Sequence, residues 1–184
     1  MAKAILISIR PEWCEKIARN EKTVEVRKTR PKLETPFKCH IYCTMDHPYI
    51  SISCGELDKL NYRTNTVGRC NGKVIGEFTC DRIYELAPLN HAPDDVEKQA
   101  CLTREEIVNY LKGTGYGWHI SKLQIYDTPK LLSAFKGLCK IEVGCGECPY
   151  YNYTKMECDG RTIKRPPQSW CYVEEQRWPY VNLL

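Results

Sequence analysis

No stretch of the 184-residue chain approaches 18 consecutive apolar residues, so a membrane-spanning helix is excluded. There is no internal repeat, no low-complexity tract and no regular alternation of strand with helix, which argues against a solenoid and against a doubly wound parallel sheet. Charge of one sign is not in large excess either. The 27 Lys and Arg stand against 23 Asp and Glu, a net +4 that permits a nucleic-acid partner without requiring one. The first eleven residues, Met-Ala-Lys-Ala-Ile-Leu-Ile-Ser-Ile-Arg-Pro, lack the long apolar centre of a signal peptide, because Arg10 and Pro11 interrupt it. They read as a first strand, and the expected location is the cytoplasm.

What is present is an ordinary globular composition, 42% hydrophobic and 27% charged, with an unusual 12 cysteines. Nothing points to secretion, so reduced thiols and metal are better readings than a disulfide framework. Cys14 lies on the apolar side of a predicted helix, and Cys39, Cys43 and Cys80 lie in strand-like runs. These four are expected as small buried hydrophobes. The cluster after residue 138 is a different case, taken up below.

Along the chain, Ala4–Ile9 is apolar on both faces, as in a strand covered on both sides. Pro11 suits the first turn of a helix, and Trp13, Cys14, Ile17 and Ala18 give that helix one apolar face. Asn20 is its expected stop. Strands are predicted at Lys22–Arg27, Phe37–Thr44, Lys73–Ile83, His119–Asp127 and Trp170–Val173, with a short one at Tyr49–Ser53 in a loop excursion at 45–72. A weak helix is expected within 87–100. Thr103-Arg104-Glu105-Glu106 is a capping box opening a firmer one, which Gly113 stops. The expectation is one α+β, mainly β domain over 1–184. Its centre is a small antiparallel barrel with flanking helices, and any site lies on the barrel rim or in a surface cleft.

The stretch from Lys22 to Arg27 carries the most chemistry. Val24 and Val26 alternate with Thr23, Glu25 and Arg27, so one strand face goes to a core and the other lines up a hydroxyl, a carboxylate and a guanidinium. Lys22, Arg27, Lys28, Arg30 and Lys32 gather positive charge suited to phosphates. Trp13, Trp118, His119, Trp170 and Tyr172 offer rings on which a splayed base could stack. The alternative for each is bland: a solvated basic face, core tryptophans, and an ion pair along one strand.

Ile5-Leu6-Ile7-Ser8-Ile9-Arg10-Pro11, a helix, and then Asn20-Glu21-Lys22-Thr23-Val24-Glu25-Val26-Arg27 resembles the opening of the ASCH domain family, which is related to PUA-like barrels. Lys22, Glu25 and Arg27 match the family's pattern, while Asn20 stands where a glycine is usual. The resemblance implies a PUA-like β-barrel with a cleft between barrel and helices that holds RNA or a nucleotide-like ligand. Lys22, Glu25 and Arg27 would be binding residues of that cleft, and the residues themselves add Trp118 and His119, the aromatic pair expected to be exposed because it follows the turn of Gly113, Gly115 and Gly117. The resemblance also implies an alternative, an amidohydrolase acting on acetylated cytidine, in which Lys22 would work with Thr23 and Glu25. The nucleophilic threonine of such enzymes falls where this chain has Glu25, and Thr23 projects on the opposite parity from Lys22. A protein-interaction module is a third reading.

The second signal is Cys145-Gly-Glu-Cys148, followed by Cys158 and Cys171. A C-x2-C turn aims two thiolates at one ion, and two more close a tetrahedron, so the expected cofactor is a structural zinc. Cys139 is an alternative fourth ligand to Cys171, which could instead face the core.

Overall fold

The structure is a computed structural model and describes residues 2–52, 70–86, 92–139 and 144–175. Its elements in chain order are β1 (Lys3–Ile9), α1 (Pro11–Ala18), β2 (Val24–Arg27), β3 (Phe37–Cys43), β4 (Lys73–Glu85), α2 (Val96–Ala100), α3 (Arg104–Leu111), β5 (Tyr116–Leu131), β6 (Tyr151–Asn152), β7 (Glu157–Cys158) and β8 (Trp170–Glu174). Six strands form one sheet in the order β2-β5-β4-β3-β1-β8, and β6 and β7 form a separate ribbon. All pairings are antiparallel except β1 with β3, which α1 and β2 separate in sequence. The result is an α+β, mainly β fold, a curled half-barrel carrying a few helices.

Period-2 alternation explains how the sheet serves two cores. On one face Ile5, Ile7, Ile9, Cys39, Ile41, Cys43, Phe78 and Trp118 form the interior of the curl, closed at one end by Cys14 and Ile17 of α1. On the other face Ala4, Leu6, Tyr42, Val74, Tyr126 and Val173 pack under Phe135. This is why β1 is apolar on both parities. Cys14, Cys39, Cys43 and Cys80 are all fully buried. Burial pushes the Cys80 thiol up to about 12, and those of Cys14 and Cys39 are raised as well, so these thiols behave as apolar side chains.

A third core lies outside β2. Val24 and Val26 pack there against Val96 and Ala100 of α2 and Ile107 and Leu111 of α3. The helices hold this position because of their ends. Thr103 caps α3 in a complete capping box with Glu106, and Cys101 and Lys112 turn the chain through left-handed conformations after α2 and α3. Asn20 does the same after α1, with φ of 58°, in the place of the glycine usual in the resembling pattern. Gly76 marks a bulge where β4 and β5 touch closely, since a Cβ there would lie 2.5 Å from the Gln124 carbonyl oxygen.

Several expected boundaries shift. The β5 strand runs from Tyr116 rather than His119, because Gly117 pairs with both Val26 and Tyr84 and completes the ladder. The strand expected at Tyr49–Ser53 reduces to an isolated bridge at Ser51 among the described residues. Residues 53–69 of the 45–72 excursion, residues 87–91 and residues 140–143 of the Cys-rich segment lie outside the described residues. None of the helices among the described residues is long and apolar enough to cross a membrane.

Candidate functional site

The two edges of the sheet, β2 and β8, do not pair with each other. Side chains join them instead. Arg27 Nη2 donates to the Ser8 carbonyl oxygen at 2.6 Å and Arg27 Nη1 reaches Ser169 Oγ at 3.3 Å. Just beyond, Trp170 Nε1 donates to Thr29 Oγ1 and the Lys32 backbone N–H donates to the Tyr172 hydroxyl. The barrel is thus closed at this seam by hydrogen bonds from side chains rather than by a strand ladder.

A cavity of about 700 Å³ opens at the seam. The strand face bearing Glu25 and Arg27, with Lys22 at its entry, makes one wall. Trp13 of α1 and Glu106 and Tyr110 of α3 make others, and Ser8, Thr44 and Gln168 come from the ends of β1 and β3 and the approach to β8. The alternation that sends Val24 and Val26 to the helical core therefore sends the charged parity into the cavity.

The three ionisable groups are buried to an unusual degree, with Lys22 2%, Glu25 6% and Arg27 7% exposed. Glu25 sits between the two cations, Oε1 at 3.0 Å from Arg27 Nη2 and Oε2 at 3.5 Å from Lys22 Nζ. Lys22 Nζ donates to the Ala100 carbonyl oxygen at 2.6 Å and lies 5.1 Å from the Trp13 ring centre. Each cation is thereby fixed by a backbone carbonyl as well as by the carboxylate. Three cavity-lining side chains nonetheless keep a buried polar atom with no hydrogen bond among the described residues: Glu25 Oε2, Arg27 Nε and Thr44 Oγ1. Unmet polar atoms cost about 1–3 kcal/mol each, and sheltered ones that collect at a single cavity suit a ligand that completes them.

The basic run divides in two. Lys22 and Arg27 are inside and share the single carboxylate of Glu25. Lys28, Arg30 and Lys32 are exposed beyond the seam, where Lys28 lies over Tyr110 and Arg30 over Tyr116. The cavity lining is mixed rather than basic, with Arg10, Lys22 and Arg27 accompanied by Glu12, Glu25, Asp46 and Glu106.

The aromatic pair Trp118-His119 falls elsewhere. Trp118 is fully buried in the curl, edge-on to Phe37 at 5.8 Å, because its parity on β5 points into the main core. His119 takes the opposite parity and pairs with Asp81 at 2.6 Å. Neither lines the cavity. Thr23 is outside the lining too. It sits just before β2 begins at Val24, and its backbone is engaged with Gln99 and Ile120. A hydroxyl that does reach the cavity is that of Thr44. Sequence reasoning missed it, although the Cys39-Ile41-Cys43 parity places the residue after β3 at the barrel mouth. Glu106 and Tyr110 were also missed, although the capping box at Thr103 marks the start of their helix.

The cysteines of the expected metal set are parted. Cys145 and Cys148 bound a turn of 3-10 helix and Cys158 lies in β7, but Cys171 is on β8 in the main sheet, packed against the second core. Among the described residues no three or more His, Cys, Asp or Glu side chains are gathered as a metal site.

No family model matches the chain, and no curated protein matches it. Solved structures do. The crystal structure of ASCH from Zymomonas mobilis is similar at a TM-score of 0.55 and 18% identity, over 92% of this chain and 86% of that one. A serine-to-alanine mutant of the same protein gives 0.54 and 18%, over 92% and 87%. A tyrosine-to-phenylalanine mutant gives 0.50 and 20%, over 71% and 77%. The class is therefore an ASCH-type fold. At these identities the likeness defines the architecture alone, and the case for function rests on the cavity.

Proposed function

We propose that the seam cavity binds a nucleotide-like ligand, free or within RNA, by hydrogen bonds to the edge of its base. The observation that carries this reading is the convergence on one cavity of Glu25 Oε2, Arg27 Nε and Thr44 Oγ1, which take no hydrogen bond among the described residues. A nucleobase edge offers N–H donors to a carboxylate and carbonyl or ring-nitrogen acceptors to a guanidinium, side by side in one plane. The terminal torsion of glutamate is soft, so a modest turn brings Oε2 onto such a donor. Trp13 and Tyr110 supply rings against which a base packs. With the inner cations engaged by Glu25 and by backbone carbonyls, phosphates of an RNA strand would instead meet the exposed Lys28, Arg30 and Lys32. The amidohydrolase reading has less support, since Thr23 is outside the lining and Lys22 is held by Ala100 and Glu25.

Calorimetric titration of the four ribonucleosides and a short single-stranded RNA tests the proposal. The wild type is expected to bind at least one of them. Glu25→Gln is expected to weaken that binding at least tenfold, about 1.4 kcal/mol, and Thr44→Val to weaken it less. Affinity for a nucleoside should change little with salt, whereas RNA affinity should fall as salt rises. Failure of the wild type to bind any probe, or equal affinity in Glu25→Gln, refutes the reading.

A further inference from the structure

The ribbon of β6 and β7 lies in a segment that has no core of its own. From Gly144 to Gly160 the only buried side chains among those described are Cys148 and Cys158, each 8% exposed. Tyr150, Tyr153 and Met156 stand 58%, 61% and 73% exposed around them. Two-residue strands with so little apolar burial do not hold together unaided, and small elements of this kind depend on a covalent or metal staple.

No three of the thiols are gathered as a metal site among the described residues, but the backbone brings their positions to one part of the segment. Cys145 and Cys148 close one 3-10 turn, with the Cys148 N–H donating to the Cys145 carbonyl oxygen at 3.3 Å. The Tyr151 N–H then donates to the Cys148 carbonyl oxygen at 3.0 Å, and Tyr151 pairs directly with Cys158. The C-x2-C turn and Cys158 therefore occupy the same end of the ribbon. The segment before Cys139 is tied to the chain that follows Cys158. Lys136 bridges Thr162 in antiparallel sense and the Gly137 N–H donates to the Arg161 carbonyl oxygen at 2.7 Å. This register carries the following residues, Leu138 and Cys139, toward the turn that begins directly after Cys158.

We infer that Cys139, Cys145, Cys148 and Cys158 form a structural thiolate site for a zinc-class ion that staples the ribbon to the sheet. The spacing is C-x5-C-x2-C-x9-C. This set replaces Cys171, expected from sequence, with Cys139. Cys171 belongs to β8, opposite Leu6, and packs into the second core. Burial raises its thiol's pKa, which opposes the thiolate form that a metal requires. Four thiolates leave no open position, so the ion's role is to hold the fold. Closing the site asks the thiols to turn inward as they lose their protons, and metal binding drives that ordering.

Elemental analysis of protein purified without chelator is the first test, with cobalt(II) reconstitution as the second. One zinc per chain and an intense sulfur-to-cobalt charge-transfer band are expected. Cys139→Ser is expected to lose metal to a competing chelator at least tenfold more readily than wild type, while Cys171→Ser retains it. These two variants avoid the buried Cys148 and Cys158, whose replacement risks the fold of the ribbon. Metal-free wild type with no charge-transfer band would overturn the proposal. So would a Cys148–Cys158 disulfide found by mass spectrometry after alkylation, or metal lost from Cys171→Ser and kept by Cys139→Ser.

Discussion

Two buried carboxylates sit on opposite faces of the same sheet, each among cations, and they end in different states. Glu77 on β4 has both oxygens engaged. Oε1 accepts from Lys38 Nζ at 2.7 Å, and Oε2 accepts from the Tyr126 hydroxyl at 2.7 Å with His40 Nδ1 at 3.4 Å. Burial pushes the Glu77 carboxyl up, but hydrogen bonds from His40, Lys38 and Tyr126 outweigh it and hold the pKa at about 2. Glu25 on β2 is equally enclosed by Lys22 and Arg27, yet one of its oxygens takes no hydrogen bond. The difference lies in the surroundings. Glu77 is roofed by Tyr126 and by His40, itself packed on Phe135, whereas Glu25 borders an open cavity. The Glu77 carboxylate is fully engaged and stabilises the sheet, the one unmet atom of its network among the described residues being His40 Nε2, buried away from the cavity; the Glu25 carboxylate keeps an unmet oxygen beside an open cavity.

The comparison is broken most forcefully at Glu25. Replacing it with leucine leaves Lys22 and Arg27 buried without a counter-charge, and a pair broken in this way costs about 3–5 kcal/mol. Urea unfolding of Glu25→Leu should show that loss in the midpoint. A change below about 1 kcal/mol would mean that the two cations escape to water and that the enclosure described here is wrong. Lys38 is a quarter exposed, so the same substitution at Glu77 leaves one cation with access to solvent and is expected to cost less.

Acid separates the two faces next. Because the Glu77 pKa in the folded protein, about 2, is below its ordinary 4.5, its contribution to stability is fully present above about pH 4.5 and is lost as pH falls toward 2. One unit is worth about 1.4 kcal/mol, and discounting for the partial exposure of Lys38 leaves a loss of about 2 kcal/mol across that window. In Glu77→Gln, stability measured by urea unfolding at successive pH values should fall by that much less between pH 4.5 and 2. Parallel curves for wild type and variant would contradict the network.

Much of this was legible beforehand. Period-2 alternation in Ala4–Ile9 and Phe37–Thr44 marks the strands, and the run of Lys22, Glu25 and Arg27 marks the wall that the structure brings to one cavity. The capping box at Thr103 gave the start of α3 directly. What stayed hidden was long-range. Alternation states that Trp118 and His119 face opposite ways but not which way is inward, and here the larger ring filled the curl. Nothing local to Lys22 reveals that the Ala100 carbonyl, 78 positions away, accepts a hydrogen bond from it. The polar partners of Glu77 come from two other strands, β3 and β5, so no window of sequence contains them. Cys171 shares a chain direction with the ribbon cysteines but belongs to another sheet, a separation that spacing alone does not encode.

The smallest effect should come from the helix that walls the cavity. Thr103 Oγ1 accepts from the Glu106 N–H, and the Glu106 carboxylate accepts in return from the Thr103 N–H at 2.7 Å. Thr103→Ala removes the first bond and is expected to lower stability by about 1 kcal/mol. Its consequence is one-sided. Glu106 and Tyr110 line the cavity on the β2 side, while the Glu77 network lies across the sheet and shares no residue with α3. Ligand affinity measured by calorimetry should therefore drop severalfold in Thr103→Ala as the first turn of α3 frays. The acid sensitivity assigned to Glu77 should remain as in wild type. If both moved together, the two carboxylates would be coupled through the sheet, and the distinction between a closed network and an open site would have to be withdrawn.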